Sequence, residues 1–134
     1  MNSVGKTFTS AMVLGWGMVL LFVVLNMFGA LLLKNQIQKL GNWNFASIQS
    51  TLQFFLKLFS SFRTLLAVGS LFGSTIAWSL ALANLELSRA YPVAIGLNFL
   101  IVMISTVFFY GESLDFSKIS GLFLILTGIV VLLR

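Results

Sequence analysis

Apolar residues run almost unbroken over four stretches of the chain, and each stretch ends at a charge or a turn. The first covers residues 10–33 and stops at Lys34. The others cover about 64–85, 91–110 and 117–133. A helix needs about 20 mostly apolar residues to cross a bilayer, so the pattern predicts four transmembrane helices. The segment between the first two reads differently. Phe45, Ile48, Leu52, Phe55, Phe59 and Phe62 recur at three- and four-residue spacing, with Gln49, Gln53, Lys57 and Ser60 between them. That is one apolar stripe on a helix over 45–62. It is either an amphipathic helix lying in the membrane surface or the first half of an oblique second span. The regular polar face favours the first. Trp43, at its start, is a residue type that anchors at interfaces. The expected fold is an all-α membrane protein, one domain over 1–134 with four spans and an interfacial helix.

Composition mostly excludes. Of 134 residues, 59% are hydrophobic and 8% charged, against about 25% charged in an ordinary soluble domain. Polar groups are too few to cover a water-exposed surface. With no cysteine, no histidine and only three acids, thiol chemistry, histidine-based catalysis and metal-assisted hydrolysis lose their usual groups. No metal, cofactor or enzymatic activity is expected. The net charge of +5 flanks the spans instead of forming a nucleic-acid patch, and reads as headgroup and topology chemistry. The first apolar run is too long for a cleavable signal peptide.

A few polar or special residues inside or beside the spans are the candidates for chemistry. Asn26 lies mid-span with Gly29 on the same helical face; it is either an interhelical hydrogen bond or a substrate-lining amide. Trp78 sits deep in the second span, as packing or as site. The connection Glu86–Ala90 makes a tight hairpin. Pro92, the only proline, marks a helix start near Ala90–Tyr91, because a first-turn N–H is not needed. Arg89 at that terminus can seat a phosphate, or can snorkel to headgroups and pair with Glu86. Ser117 or Asp115 can cap the last span. Gly121 and Gly128, two turns apart, suit a close helix crossing.

These motifs resemble the small multidrug-resistance branch of the drug/metabolite transporter superfamily. Asn26-x-x-Gly29 with Lys34 is laid out like the family's Glu-x-x-Gly with a lysine eight residues after the Glu. Ala90-Tyr91 matches its Ala-Tyr. Phe108-Phe109-Tyr110-Gly111-Glu112-Ser113-Leu114-Asp115, followed by Gly121 and Gly128, is similar to its last turn and its glycine-bearing dimerisation helix. The family's exporters use the first-span glutamate to bind cation and proton in competition. Here that position is Asn26, which cannot titrate, and no acid lies inside a span. Ala90-Tyr91-Pro92 followed by Leu97-Asn98-Phe99 resembles instead the subunits that flip aminoarabinose–phosphoundecaprenol.

That resemblance implies a flippase for a polyprenyl-phosphate-linked sugar in the bacterial inner membrane. Asn26, Lys34, Trp78, Glu86, Arg89, Tyr91 and Asn98 would meet the substrate head, and the tail would stay in lipid. Partners would be membrane lipid and a second small subunit, as a homodimer or a heterodimer, with no nucleic acid. The competing readings are a small-molecule exporter coupled by another group, and a non-transporting subunit that scaffolds a glycosyltransferase. With four spans, Lys6, Arg89 and Arg134 share one face, and Lys34, Lys39, Lys57, Arg63 and Lys118 the other. This bias is too small to set the orientation.

Overall fold

The structure is a computed structural model that describes residues 2–41 and 47–134. Trp43 and Phe45 fall outside the described residues. The described residues form α1 (Asn2–Leu40), α2 (Ile48–Phe59), α3 (Phe62–Leu82), α4 (Leu87–Tyr110) and α5 (Phe116–Leu132). Three of these are long and apolar enough to cross a membrane: α1 over Ser10–Leu40, α3 and α4. The apolar α5 has 17 residues.

Two boundaries differ from expectation. α1 does not stop at Lys34; it continues to Leu40. Polar residues alone do not break a helix, and no glycine or proline lies between Lys34 and Leu40. The stop is Gly41, whose φ of +78° turns the backbone left-handed and whose N–H reaches the Gln38 carbonyl at 3.3 Å. α4 starts at Leu87, before Ala90, so Pro92 lies inside the helix. The Glu86 carbonyl collects the Arg89 and Ala90 N–H groups at 3.1 and 2.9 Å. A turn is therefore closed ahead of the proline, and Pro92 merely leaves the Ser88 carbonyl without its usual donor. At its other end α4 stops at Gly111, with φ of +61°, and the Asp115 side chain caps α5 by accepting from the Phe116 N–H at 2.8 Å.

The core lies where α1 meets α3 and α4. Val19, Ala81 and Ala94 are its centre, flanked by Trp16, Phe22, Trp78 and Leu85. α3 turns Ala67, Ser74, Ala77 and Ala81 inward. Gly69, on the same helix, is exposed. Gly29 lets α1 approach closely: a Cβ there would lie 2.8 Å from Leu71 Cγ and 2.9 Å from the Ala67 carbonyl oxygen.

The expected close contact at Gly121 and Gly128 is not found within the protomer. A Cβ at either position meets nothing within 4 Å, and no α5 residue is buried. α5 touches α4 through Ile129, which occupies the space a Cβ on Gly96 would need. A repeat of small residues shows where another helix could approach; the neighbour's side chains decide whether it does.

Candidate functional site

The predicted site residues do not converge on one pocket. They form four levels along the bundle.

At one end, α3 and α4 meet in a short turn. Arg89 Nε lies 3.6 Å from Glu86 Oε2, and the two side chains are 57% and 73% exposed. An exposed pair of this kind contributes about 0–1 kcal/mol, so little holds Arg89 in place against a stronger anion. Both residues line a cleft of about 560 Å³ with Trp16, Asn84 and Leu133. Trp16 and Asn84 are additions to the expected set. Asn84 donates its side-chain amide to the Leu80 carbonyl at 3.0 Å, which turns its carbonyl oxygen away from that bond.

One turn further in, Trp78 bridges α1 and α4. Its ring centroid is 5.1 Å from Phe22 and 6.0 Å from Tyr91. Tyr91 is more than half exposed, so this tier joins the packed core to the open side of α4.

At mid-depth the Asn98 amide donates to Asn26 Oδ1 at 3.3 Å. Asn98 Oδ1 is buried and receives no hydrogen bond from the protein. A carbonyl without a donor in an apolar environment is costly, and it is the group a hydroxyl or amine from a ligand would satisfy. Replacing Asn26 by leucine removes the Asn98 partner as well. Bonds of this kind in membranes average about 0.6 kcal/mol and reach about 1.7, and a loss in that range is expected in reversible detergent unfolding. Asn26→Leu combined with Asn98→Leu should lose less than the two single losses added together. Strictly additive losses would show that the amides do not act on each other.

Lys34 belongs to the opposite end. Its Nζ lies 2.7 Å from Glu112 Oε1 and 3.9 Å from the Tyr110 ring centroid, and Tyr110 donates its hydroxyl to the Leu31 carbonyl at 3.3 Å. Eight residues separate Lys34 from Asn26, about 12 Å of helix, and nine separate Asn98 from Arg89, about 13 Å. One phosphate cannot touch Lys34 and Arg89 together. Glu112 was also not among the expected site residues. Its signal was available, because the span count already puts Lys34 and Glu112 on the same face.

The Lys34 ammonium, donating a hydrogen bond to Glu112, holds that carboxyl below the ordinary carboxylate range, and the charges of Lys34 and Lys118 act in the same direction. A lowered folded-state value makes the contact's contribution complete above the unfolded carboxylate value. It fades as pH falls through the lowered one. The protection factor of the amides at the α4–α5 turn, with the intrinsic pH dependence of exchange divided out, should therefore hold from neutral pH into the usual carboxylate range and fall only below it. In Glu112→Gln it should be lower across that whole range. An unaltered protein whose turn opens near pH 7 would contradict this.

The bundle and its polar seam define a class, the multi-pass helical membrane protein. Within that class, sequence comparison points to one group. Over 59 residues the chain is 37% identical to the probable 4-amino-4-deoxy-L-arabinose-phosphoundecaprenol flippase subunit ArnE of Pseudomonas aeruginosa strain UCBPP-PA14, covering 44% of this chain and 50% of that one. The strain LESB58 counterpart is 36% identical over the same length and coverage. An uncharacterized protein of Sinorhizobium fredii, y4nH, is 36% identical over 61 residues, 46% of this chain and 52% of the relative. The matches support a relation to the ArnE flippase subunits. The chain spans about half the length of the curated relatives it matches. No family model and no solved structure matches.

Proposed function

We propose that the chain is one subunit of a carrier that moves a polyprenyl-phosphate-linked sugar across a bacterial inner membrane. The observation that carries this reading is the neutral Asn26–Asn98 pair at mid-depth. Asn26 stands where the cation exporters that the chain resembles carry a glutamate. Amides offer a sugar both donors and acceptors without the cost of a buried charge. Arg89 at the mouth of the cleft suits the phosphate. The prenyl tail needs no aqueous path, because it stays in lipid throughout.

Four spans and a surface helix complete the reading. α5 is about 25 Å long by helix rise, slightly less than the hydrocarbon core, so residues flanking it would complete the crossing. α2, with 12 residues, is too short to span. It buries only Leu58 and leaves Leu52, Phe55 and Phe59 exposed, which lipid would cover if the helix lay in the interface. Cysteines at 49, 53 and 57 should then react with a water-soluble reagent from one side only, with 55 protected. Protection at all four positions would mean the helix is buried. A second subunit is expected against α5, which buries nothing in the protomer.

The test is direct binding. Purified protein should take up undecaprenyl phosphate and show no saturable uptake of a cationic dye such as ethidium. Saturable ethidium uptake without undecaprenyl phosphate binding would return the exporter reading.

A further inference from the structure

We propose that the groove between α4 and α5 seats the prenyl chain of the carried lipid, with its phosphate on Lys118, at the face opposite Arg89. This rests on the reading of the chain as a carrier of a lipid-linked phosphate.

The groove encloses about 400 Å³. Its walls are Phe99, Val102 and Met103 of α4 and Leu122 and Ile125 of α5, and its charged groups, Glu112 and Lys118, gather at one end. An apolar wall with charged groups at one end matches the polarity of an amphiphile, with a headgroup position where the helices leave the membrane. Its occupant is drawn from the bilayer, because α5 packs against α4 alone and buries no residue in the protomer, so no other helix covers the groove.

The charges at the mouth select an anion. Glu112 is taken up by Lys34 at 2.7 Å. Lys118 donates to the Ser113 carbonyl at 3.1 Å and forms no ion pair among the described residues. With the carboxylate neutralised, the lysine carries the net charge of the mouth, and a phosphate monoester complements it. Gly121 supplies the room. A Cβ there meets nothing within 4 Å, yet the residue lines the groove. A side chain at 121 therefore starts from open space at the groove wall and takes up room the lipid would use. Gly128, seven residues on, also meets nothing but lies outside the groove.

Lys118 opens α5 just after the C-terminal end of α4, and Arg89 lies in the first turn of α4, so the two stand at opposite ends of the bundle. Each offers a cation at a membrane face, and the Asn26–Asn98 pair lies between them. The groove is thus one end point of the transfer and the Arg89 cleft the other, with the tail remaining in lipid contact at both.

The experiment uses the full chain in phosphatidylcholine nanodiscs and a prenyl phosphate carrying a benzophenone in its chain. Crosslinks on the unaltered protein should map to residues 99–107 and 121–125. Gly121→Leu should reduce them to background while its thermal unfolding stays unchanged. Gly128→Leu should keep them. Lys118→Gln, an exposed change with no packing consequence, should weaken saturation by about tenfold, as loss of a charge-assisted bond implies. Labelling of the groove should survive Arg89→Ala. Full labelling of Gly121→Leu would overturn the proposal. So would equal loss in Gly128→Leu, which would mark both glycines as a contact with a second subunit, and so would displacement by an equimolar amount of phosphatidylglycerol, which would mark an ordinary lipid seam. If the unaltered protein takes up no prenyl phosphate at either face, the carrier reading falls with the groove.

Discussion

Arg89→Ala should abolish binding of polyprenyl phosphate at the α3–α4 end while leaving the protein folded. The fold is expected to survive because Arg89 makes no packing contact in the core and its ion pair with Glu86 is long and exposed. Substitutions at such positions usually shift stability by less than about 0.5 kcal/mol. The binding loss is expected to be large because a hydrogen bond to a charged group contributes about 1.5–3 kcal/mol, and a guanidinium can make two in parallel to one phosphate. Arg89 also lies in the first turn of α4, where the helix dipole favours an anion by about 0.3–1 kcal/mol. Arg89→Lys should restore part of the affinity, since it keeps the charge and loses the planar fork. Glu86→Ala should tighten binding or leave it alone, because the carboxylate competes with the phosphate for the same guanidinium. These outcomes are read as dissociation constants for undecaprenyl phosphate by native mass spectrometry in a Gly121→Leu background, where the α4–α5 groove is filled and only the α3–α4 end is left to bind. If Arg89→Ala binds like the unaltered protein, Arg89 is only a headgroup anchor and the phosphate must be sought at the other end of the bundle.

Gly29→Ala is expected to be the most damaging single methyl in the chain's core. At 2.8 Å from Leu71 Cγ and 2.9 Å from the Ala67 carbonyl oxygen, the new Cβ presses on a branched side chain and on helix backbone. The side chain can rotate; the carbonyl can move only if α3 moves with it. Overpacking of this kind costs about 1–3 kcal/mol. α1 and α3 are the most extensively packed helices in the fold, so the strain falls on the contact that organises the bundle. Gly121→Ala, where nothing is near, should be silent by the same measurement, the midpoint of thermal unfolding in detergent. Equal midpoints for Gly29→Ala and the unaltered protein would mean that α1 and α3 do not approach as closely as described.

That pair of glycines also shows how far a one-dimensional reading reaches. Gly121 and Gly128 stand out in sequence because they repeat in register on an apolar helix, whereas Gly29 is one of several glycines and stands out only beside Asn26. Spacing reports which residues share a helix face. It does not report whether another helix covers that face, and here α5 leaves its small face bare while α1 presses Gly29 into α3. The boundary of α1 was hidden for a related reason. Lys34 to Gln38 is polar, and polarity suggested a connection, but helix continuation depends on backbone freedom and carbonyl partners. The stop signal was Gly41, whose left-handed φ suits glycine above other residues. The start of α4 was misplaced because Pro92 permits a first-turn position without requiring one.

By itself, the sequence determined that the chain is helical and built for a bilayer, because so few charges cannot cover a water-exposed surface and because apolar runs of that length have one stable solution in lipid. It also determined that no titratable acid lies in the spans, since Glu86, Glu112 and Asp115, the three acids, all fall in the connections between them. Only the tertiary structure decided which polar groups meet. Asn26 finds Asn98, 72 residues away, and Lys34 finds Glu112, 78 residues away, because parallel packing of α1 and α4 brings matching depths together. The same packing holds Lys34 and Arg89 at opposite ends, so that residues expected to form one site are spread along the bundle's full length.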